Sequence, residues 1–199
     1  MSLVVTTSDG CLSNVKQREV IVWPQPVASF RFTDTACIPN AKISFTNTSS
    51  ISNGTENSFV YLWNFGEPGS GISNSSTARN PVHTYSSVGP FTVNLRVTSG
   101  AGCIDDTTIV VNTIHPQPKA AFTFSKPSAC IGEDVVINDQ SDYKDGVASL
   151  WNWDFGDNQT SVLQNPSHTY ASIGLYNVSL FAVNSFGCNS DTVSKPFNV

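Results

Sequence analysis

Apolar side chains recur at every second position in short runs along this chain. Phe91, Val93, Leu95 and Val97 alternate with polar or small residues, as do Tyr176, Val178 and Leu180, and Ile43 and Phe45. A period of two with polar partners predicts strands that bury one face and wet the other. No segment carries a convincing helical period. Gly, Asn and Pro separate the runs at short intervals, which predicts an all-β protein of antiparallel sandwiches.

One block of this pattern occurs twice. The first copy runs Trp63-Asn64-Phe65-Gly66-Glu67, then Asn80-Pro81-Val82-His83-Thr84-Tyr85, then Gly89-Pro90-Phe91-Thr92-Val93-Asn94-Leu95, and ends Gly102-Cys103. The second runs Trp153-Asp154-Phe155-Gly156-Asp157, then Asn165-Pro166-Ser167-His168-Thr169-Tyr170, then Gly174-Leu175-Tyr176-Asn177-Val178-Ser179-Leu180, and ends Gly187-Cys188. Such a repeat predicts two units of one architecture. The extra residues of the first copy fall in the polar run 68–76, which reads as a surface loop.

A third, partial copy precedes these. Val5-Thr6-Thr7-Ser8-Asp9-Gly10-Cys11 matches Val97 through Cys103, and the linkers Trp23-Pro24-Gln25-Pro26 and His115-Pro116-Gln117-Pro118 match each other. Residues 1–23 are therefore expected to be an expression leader, Met1-Ser2-Leu3, followed by the last hairpin of a truncated preceding repeat. Residues 24–115 form the first full domain and 116–199 the second. An unpaired hairpin exposes strand edges, so it is expected to lie against the first domain or a neighbouring copy. Proline at alternate linker positions stiffens the connections toward an extended form.

Length and charge agree with this division. The chain has 199 residues, room for two sandwiches of ~100 residues. Charged residues are 13% of the total, against about 25% in ordinary soluble domains. The net charge of −5 argues against nucleic acid, which needs clustered Lys and Arg. No apolar run approaches the ~18 residues of a membrane span.

Most of the repeated residues read as structure. Trp63 and Trp153 sit mid-strand, with Phe65 and Phe155 two residues on and on the same face. Gly66 and Gly156 end that strand, where a turn uses positive φ. Tyr85 and Tyr170 complete the expected core set. His83 and His168 are either metal ligands or bases, or core-edge residues hydrogen-bonded to a neighbour. Neither has a second His or Cys at ligand spacing. Asp154-Phe155-Gly156 spells a kinase motif, but no catalytic or phosphate-binding loop accompanies it.

The combined pattern, W-x-F-G-[D/E] followed by N-P-x-H-x-Y and G-x-Y-x-V-x-L, resembles the PKD (polycystic kidney disease) domain. The first copy has Asn64 and Glu67 where the family commonly has Asp. The resemblance implies two tandem immunoglobulin-like antiparallel β-sandwiches on a secreted or cell-surface protein. The Asn, Ser and Thr bias and the cysteine placement are similar to PKD arrays of large Bacteroidetes proteins.

The resemblance also implies a calcium candidate, because some PKD-like domains bind Ca²⁺ near the loop between their second and third strands. Asp139, Asp142 and Asp145 lie there in the second copy, and oxygen ligands suit Ca²⁺. The first copy has no carboxylate in the matching stretch 49–54, and a solvated turn is the alternative. No other cofactor is expected. Trp23 and Trp151 lie outside the shared core pattern. They are candidates for stacking on a sugar ring, or else for packing at a domain junction and at the core edge. Sequons at Asn47, Asn53, Asn74, Asn158 and Asn177 are no more than chance supplies in a chain this rich in Asn, Ser and Thr.

Five cysteines remain. Cys11, Cys103 and Cys188 hold one repeat position, in the turn between the last two strands. Cys37 and Cys130 hold another, between the first two. In an immunoglobulin-like sandwich these turns lie at opposite poles, ~25–30 Å apart for strands of this length. A disulfide needs Cα atoms within ~7 Å, so bonds within a domain are not expected. In a head-to-tail array, Cys37 of the first domain faces Cys188 of the second. That pair is the expected interdomain disulfide, with Cys103 and Cys130 left for neighbouring repeats. Free thiols are the alternative.

The expected function is non-catalytic. There is no nucleophile–His–acid arrangement and no metal cluster. The chain reads as a stalk or spacer and protein-protein or adhesion segment of a larger extracellular, cell-surface protein. Its expected partners are neighbouring PKD repeats, and extracellular protein or polysaccharide. The alternative is a carbohydrate-binding accessory module of a secreted polysaccharide-degrading enzyme or protease.

Overall fold

The computed structural model describes every residue except residue 34. The alternating runs form strands, and the two repeat copies form two sandwiches with separate cores. In the first, Phe91–Thr98 is the central strand of a four-stranded antiparallel sheet. It pairs on one side with Ile104–Val111 and on the other with Val60–Asn64, which also holds the short strand Ser75–Ser76. The facing layer contains Ala41–Ser44 paired with Val82–Tyr85, and Phe30–Arg31 paired with Thr46–Asn47.

Alternation places Val93, Leu95 and Val97 inward, each fully buried, across from Ile43 and Phe45. Trp63 lies between the layers, edge-on to Phe30 at 5.0 Å between ring centres. Its indole N–H donates to the Ala78 carbonyl at 2.9 Å, so the ring is buried without an unsatisfied donor.

The second sandwich repeats the plan. Leu175–Asn184 pairs with Ala148–Asp154 and Val193–Asn198. Phe122–Phe124, Asp134–Asp139 and Ser167–Thr169 make the facing layer. Trp153 is again fully buried, and its indole N–H donates to the Leu163 carbonyl at 2.8 Å. The first core runs from Ala28 to Ile114 and the second from Ala120 to Phe197, with no residue in common.

Two details go beyond the sequence reading. The polar run of the first copy folds as short 3-10 turns over Pro68–Asn74, with the backbone reversing at Gly71. The N-terminal hairpin does not lie against the first domain. Ser2–Leu3 pairs with Lys16–Gln17, and residues 1–22 are exposed throughout. A lone hairpin has one layer only, so Leu3, Leu12 and Val15 find no second layer to bury against.

Candidate functional site

The repeated residues interlock in the same way in both domains. Trp63-x-Phe65 ends its strand at Gly66, whose φ is 75°. An added Cβ there would stand 2.5 Å from the Thr92 carbonyl oxygen, so the turn needs glycine for space as well as for φ. The turn brings Glu67 back toward the strand Val82–Tyr85. Glu67 Oε2 lies 3.0 Å from His83 Nε2, and Oε1 accepts from the Ser86 amide and hydroxyl at 2.9 and 2.8 Å. The His83 ring stacks on Phe65 with centres 4.4 Å apart, and meets Tyr85 edge-on. The Tyr85 hydroxyl donates to the Phe65 carbonyl at 3.0 Å.

The second domain reproduces the acid–histidine–tyrosine contacts, while Ala171 stands in place of Ser86 and Asp157 Oδ1 accepts from the Gln159 amide at 3.1 Å instead. Asp157 Oδ2 lies 2.8 Å from His168 Nε2, that ring stacks on Phe155, and the Tyr170 hydroxyl donates to the Phe155 carbonyl at 3.0 Å. The fifth residue of the W-x-F-G-[D/E] block is therefore the partner of the histidine in N-P-x-H-x-Y. Burial opposes ionisation of Glu67, but the Ser86 donors and His83 outweigh it and hold its carboxyl below the ordinary value. The arrangement ties a turn to a strand. His83 and His168 are both buried, each with Nε2 on its carboxylate partner and its ring stacked on a phenylalanine.

The asparagine of each Asn-Pro step has a role that the sequence reading missed. Asn80 Oδ1 accepts from the Asn47 amide, and Asn165 Oδ1 from the Asp139 amide, each at 2.9 Å. They fill a gap where the facing strand passes out of backbone pairing.

The structure does not assemble the calcium candidates. Asp139 Oδ2 accepts from Tyr143 at 2.8 Å and from the Trp151 indole at 2.9 Å, and Oδ1 accepts from the Ser141 amide at 3.0 Å. Asp142 pairs with Lys144 at 2.6 Å, and Asp145 with His115 at 2.7 Å. Three carboxylates committed to three partners, one of them a lysine, do not fit Ca²⁺. Among the described residues, no group of three or more His, Cys, Asp or Glu is placed to hold a metal.

Trp151 is also not a free stacking platform. It packs half-buried against the second core with its N–H on Asp139. In the first domain the matching pair is Tyr61 and Asn47, joined at 3.4 Å. The pair changes as a unit, Tyr with Asn in the first domain and Trp with Asp in the second.

Trp23 occupies a different kind of place. It is 55% exposed and lines a cleft at one pole of the first domain, beside Asn53, Ser58, Gly100 and Ala101. His115 holds the matching linker position before the second domain. It stacks flat on Phe186 with centres 3.6 Å apart while its Nδ1 meets Asp145. Phe186 aligns with Ala101, so a large linker ring meets a small residue at one pole and a smaller ring meets a large residue at the other. Gln25 and Gln117 follow, and their side-chain amides reach the Ile104 carbonyl and Asp191 respectively.

The junction between the domains forms around this linker. Ile114–His115 runs parallel to Ala36–Cys37, and Ala36 N–H donates to the Thr113 carbonyl at 2.9 Å. Cys37 is joined to Cys188 by a disulfide with Cα atoms 5.5 Å apart. The first turn of domain one and the last turn of domain two thus meet across the linker. Cys11, Cys103 and Cys130 are free thiols. The sequence contained no direct sign of the His115–Asp145–Phe186 cluster, because its members are far apart in the chain and meet only where the linker folds onto the pole of domain two.

A family model described as PKD domain matches residues 23–114 and again 115–199. The chain is similar to the PKD1 domain of Vibrio anguillarum Epp, at 29% identity over 42% of this chain and 93% of that one, TM-score 0.37. It is similar to the PKD1 domain of the Vibrio cholerae metalloprotease PrtV, at 30% identity over 42% and 96%, TM-score 0.37. It is also similar to a structure of carbohydrate-binding modules from the β-sandwich superfamily, at 31% identity over 42% of this chain, TM-score 0.40. There it spans only 34% of the matched chain. The repeated interlock of acid, histidine and tyrosine falls inside both family matches, which together cover nearly the whole sequence, and the chain belongs to the PKD domain family.

Proposed function

We propose that this chain is a non-catalytic spacer segment of a larger extracellular protein, in which PKD domains in series hold other modules apart and take part in adhesion. The observation that carries this reading is the junction. Domains joined only by a flexible linker move independently by default. Here a covalent bond between Cys37 and Cys188, a parallel strand pair and the His115 stack all act on the same few residues. A covalent tie, a strand pair and a ring stack concentrated at one junction oppose its opening. A disulfide also fits an oxidising, extracellular compartment.

Small-angle scattering on the oxidised and reduced chain tests the reading. An extended pair that keeps its maximum dimension when oxidised and becomes more variable on reduction supports a spacer. A folded-over pair, or identical curves in both states, contradicts it.

A second reading is a polysaccharide-binding accessory module, favoured by Trp23, which stays largely exposed beside an apolar cleft. An exposed indole can stack on a sugar ring. Glycan-array binding that disappears in Trp23→Ala supports this reading. No binding, or binding unchanged by the substitution, removes it.

A further inference from the structure

The disulfide at the junction uses one turn from each of two repeat positions, and both turns occur again, unbonded, elsewhere in the chain. The last-turn cysteine is presented identically three times. Thr7, Ser99 and Asn184 each donate an amide to the carbonyl of Cys11, Cys103 and Cys188, at 2.9, 2.8 and 3.1 Å. Each cysteine amide donates back to the side-chain oxygen of the same residue. A glycine with φ of 81°, 83° and 79° precedes the cysteine in turn.

The first-turn cysteine recurs as well. Beside Cys37, the Ala36 amide donates to Thr113 in the segment leaving domain one. Beside Cys130, the Ala129 amide donates to Asn198 in the segment leaving domain two, at 3.2 Å, and Ser128 bridges Asn198 in the same parallel sense. Cys130 is exposed, and it stands next to the end of its domain as Cys37 does. In Cys37 the structure holds a bonded copy of this very position, and its occupant is the last turn of the next PKD domain.

We infer that Cys130 is a second staple site, and that the pole of domain two around it receives a PKD domain carrying a last-turn cysteine, attached in series through Val199. The linkage takes a disulfide oxidant such as oxidised glutathione. The two thiols give up two protons and two electrons as the new S–S bond forms, and the oxidant leaves as two glutathione thiols. Attachment in series matters, because a tether raises the local concentration of the incoming turn far above that of a free second molecule. Cys103, at the opposite pole of domain one, is the complementary half of the same device. The inference rests on the junction reading given above and extends it from one bond to a repeating rule.

The test extends the full chain. A second copy of residues 115–199 is joined after Val199, which places its linker where His115 stands after Ile114. The added copy carries Cys130→Ser, so that one first-turn partner is removed. It also carries Ser194→Thr, an exposed position that marks its Cys188 peptide by mass. After oxidation with a glutathione couple, alkylation and non-reducing peptide mapping, the expected product links Cys130 to the marked peptide while Cys37 remains linked to the unmarked one. Cys130 fully alkylated in molecules that retain the Cys37–Cys188 link overturns the inference and leaves the junction reading standing. Loss of both links overturns both.

Discussion

Glu67 and His83 form a buried pair at 3.0 Å that closes the first-domain W-x-F-G-[D/E] turn onto the strand behind it. The Glu67 carboxylate can only accept hydrogen bonds when ionised, so His83 Nε2 carries the shared proton. His83→Ala strips a donor from a buried carboxylate and is expected to cost domain one about 3 kcal/mol. Denaturant unfolding followed through the two domains separately should show the loss in the first alone.

The same pair gives domain one an acid limit. The Glu67 pKa is lower when folded than its ordinary 4.5. Its contribution is therefore complete above that pH and is lost as pH falls through the lower folded value. Wild type should lose domain-one stability steeply below pH 4.5, and Glu67→Gln should flatten that part of the curve. An unchanged slope in the variant would show that other carboxylates carry the effect.

The two cores are expected to fail separately. Trp63→Ala should cost domain one about 3–5 kcal/mol, comparable with the stability of an ordinary domain. Because no core residue is shared, the domain-two transition should keep its midpoint. Trp153→Ala should reverse the assignment. Calorimetry or tryptophan fluorescence distinguishes the two.

Glycines of similar φ should differ in sensitivity. Gly66→Ala pushes a Cβ to 2.5 Å from the Thr92 carbonyl oxygen, whereas at Gly102 nothing lies within 4 Å. Gly102→Ala is expected to cost about 1 kcal/mol for its left-handed backbone alone. Gly66→Ala should cost clearly more, as read from denaturant midpoints.

Most of this architecture was legible in the alternation and in the repeated block. Trp63, Phe65, Tyr85 and their counterparts showed as core because strand period and residue size point to the same face. The histidines were legible only as far as a hydrogen-bonded neighbour. Their acidic partner lies 16 residues away in one copy and 11 in the other, across a loop of variable length. Asp139 and Trp151 were open to two readings for a physical reason. A carboxylate in an acidic loop and an extra tryptophan each look like ligand chemistry when read alone, but together they satisfy one another. The N-terminal hairpin is a different case, since pattern alone does not say what covers a strand edge.

Calcium offers a direct check on that reassignment. With Asp139, Asp142 and Asp145 held by Trp151, Lys144 and His115, millimolar Ca²⁺ should leave the domain-two melting temperature where a chelator leaves it. A calcium-dependent rise that disappears in Asp142→Asn would contradict the assignment.

The central claim is that the Cys37–Cys188 bond makes two independent sandwiches behave as one stiff unit. Backbone ¹⁵N relaxation of the oxidised chain tests it most directly, with the Cys37→Ser, Cys188→Ser double variant for comparison. The account predicts that both domains of the oxidised chain share one anisotropic rotational diffusion tensor, and that in the variant each tumbles faster on its own. Independent tumbling of the two domains with the disulfide intact would contradict it.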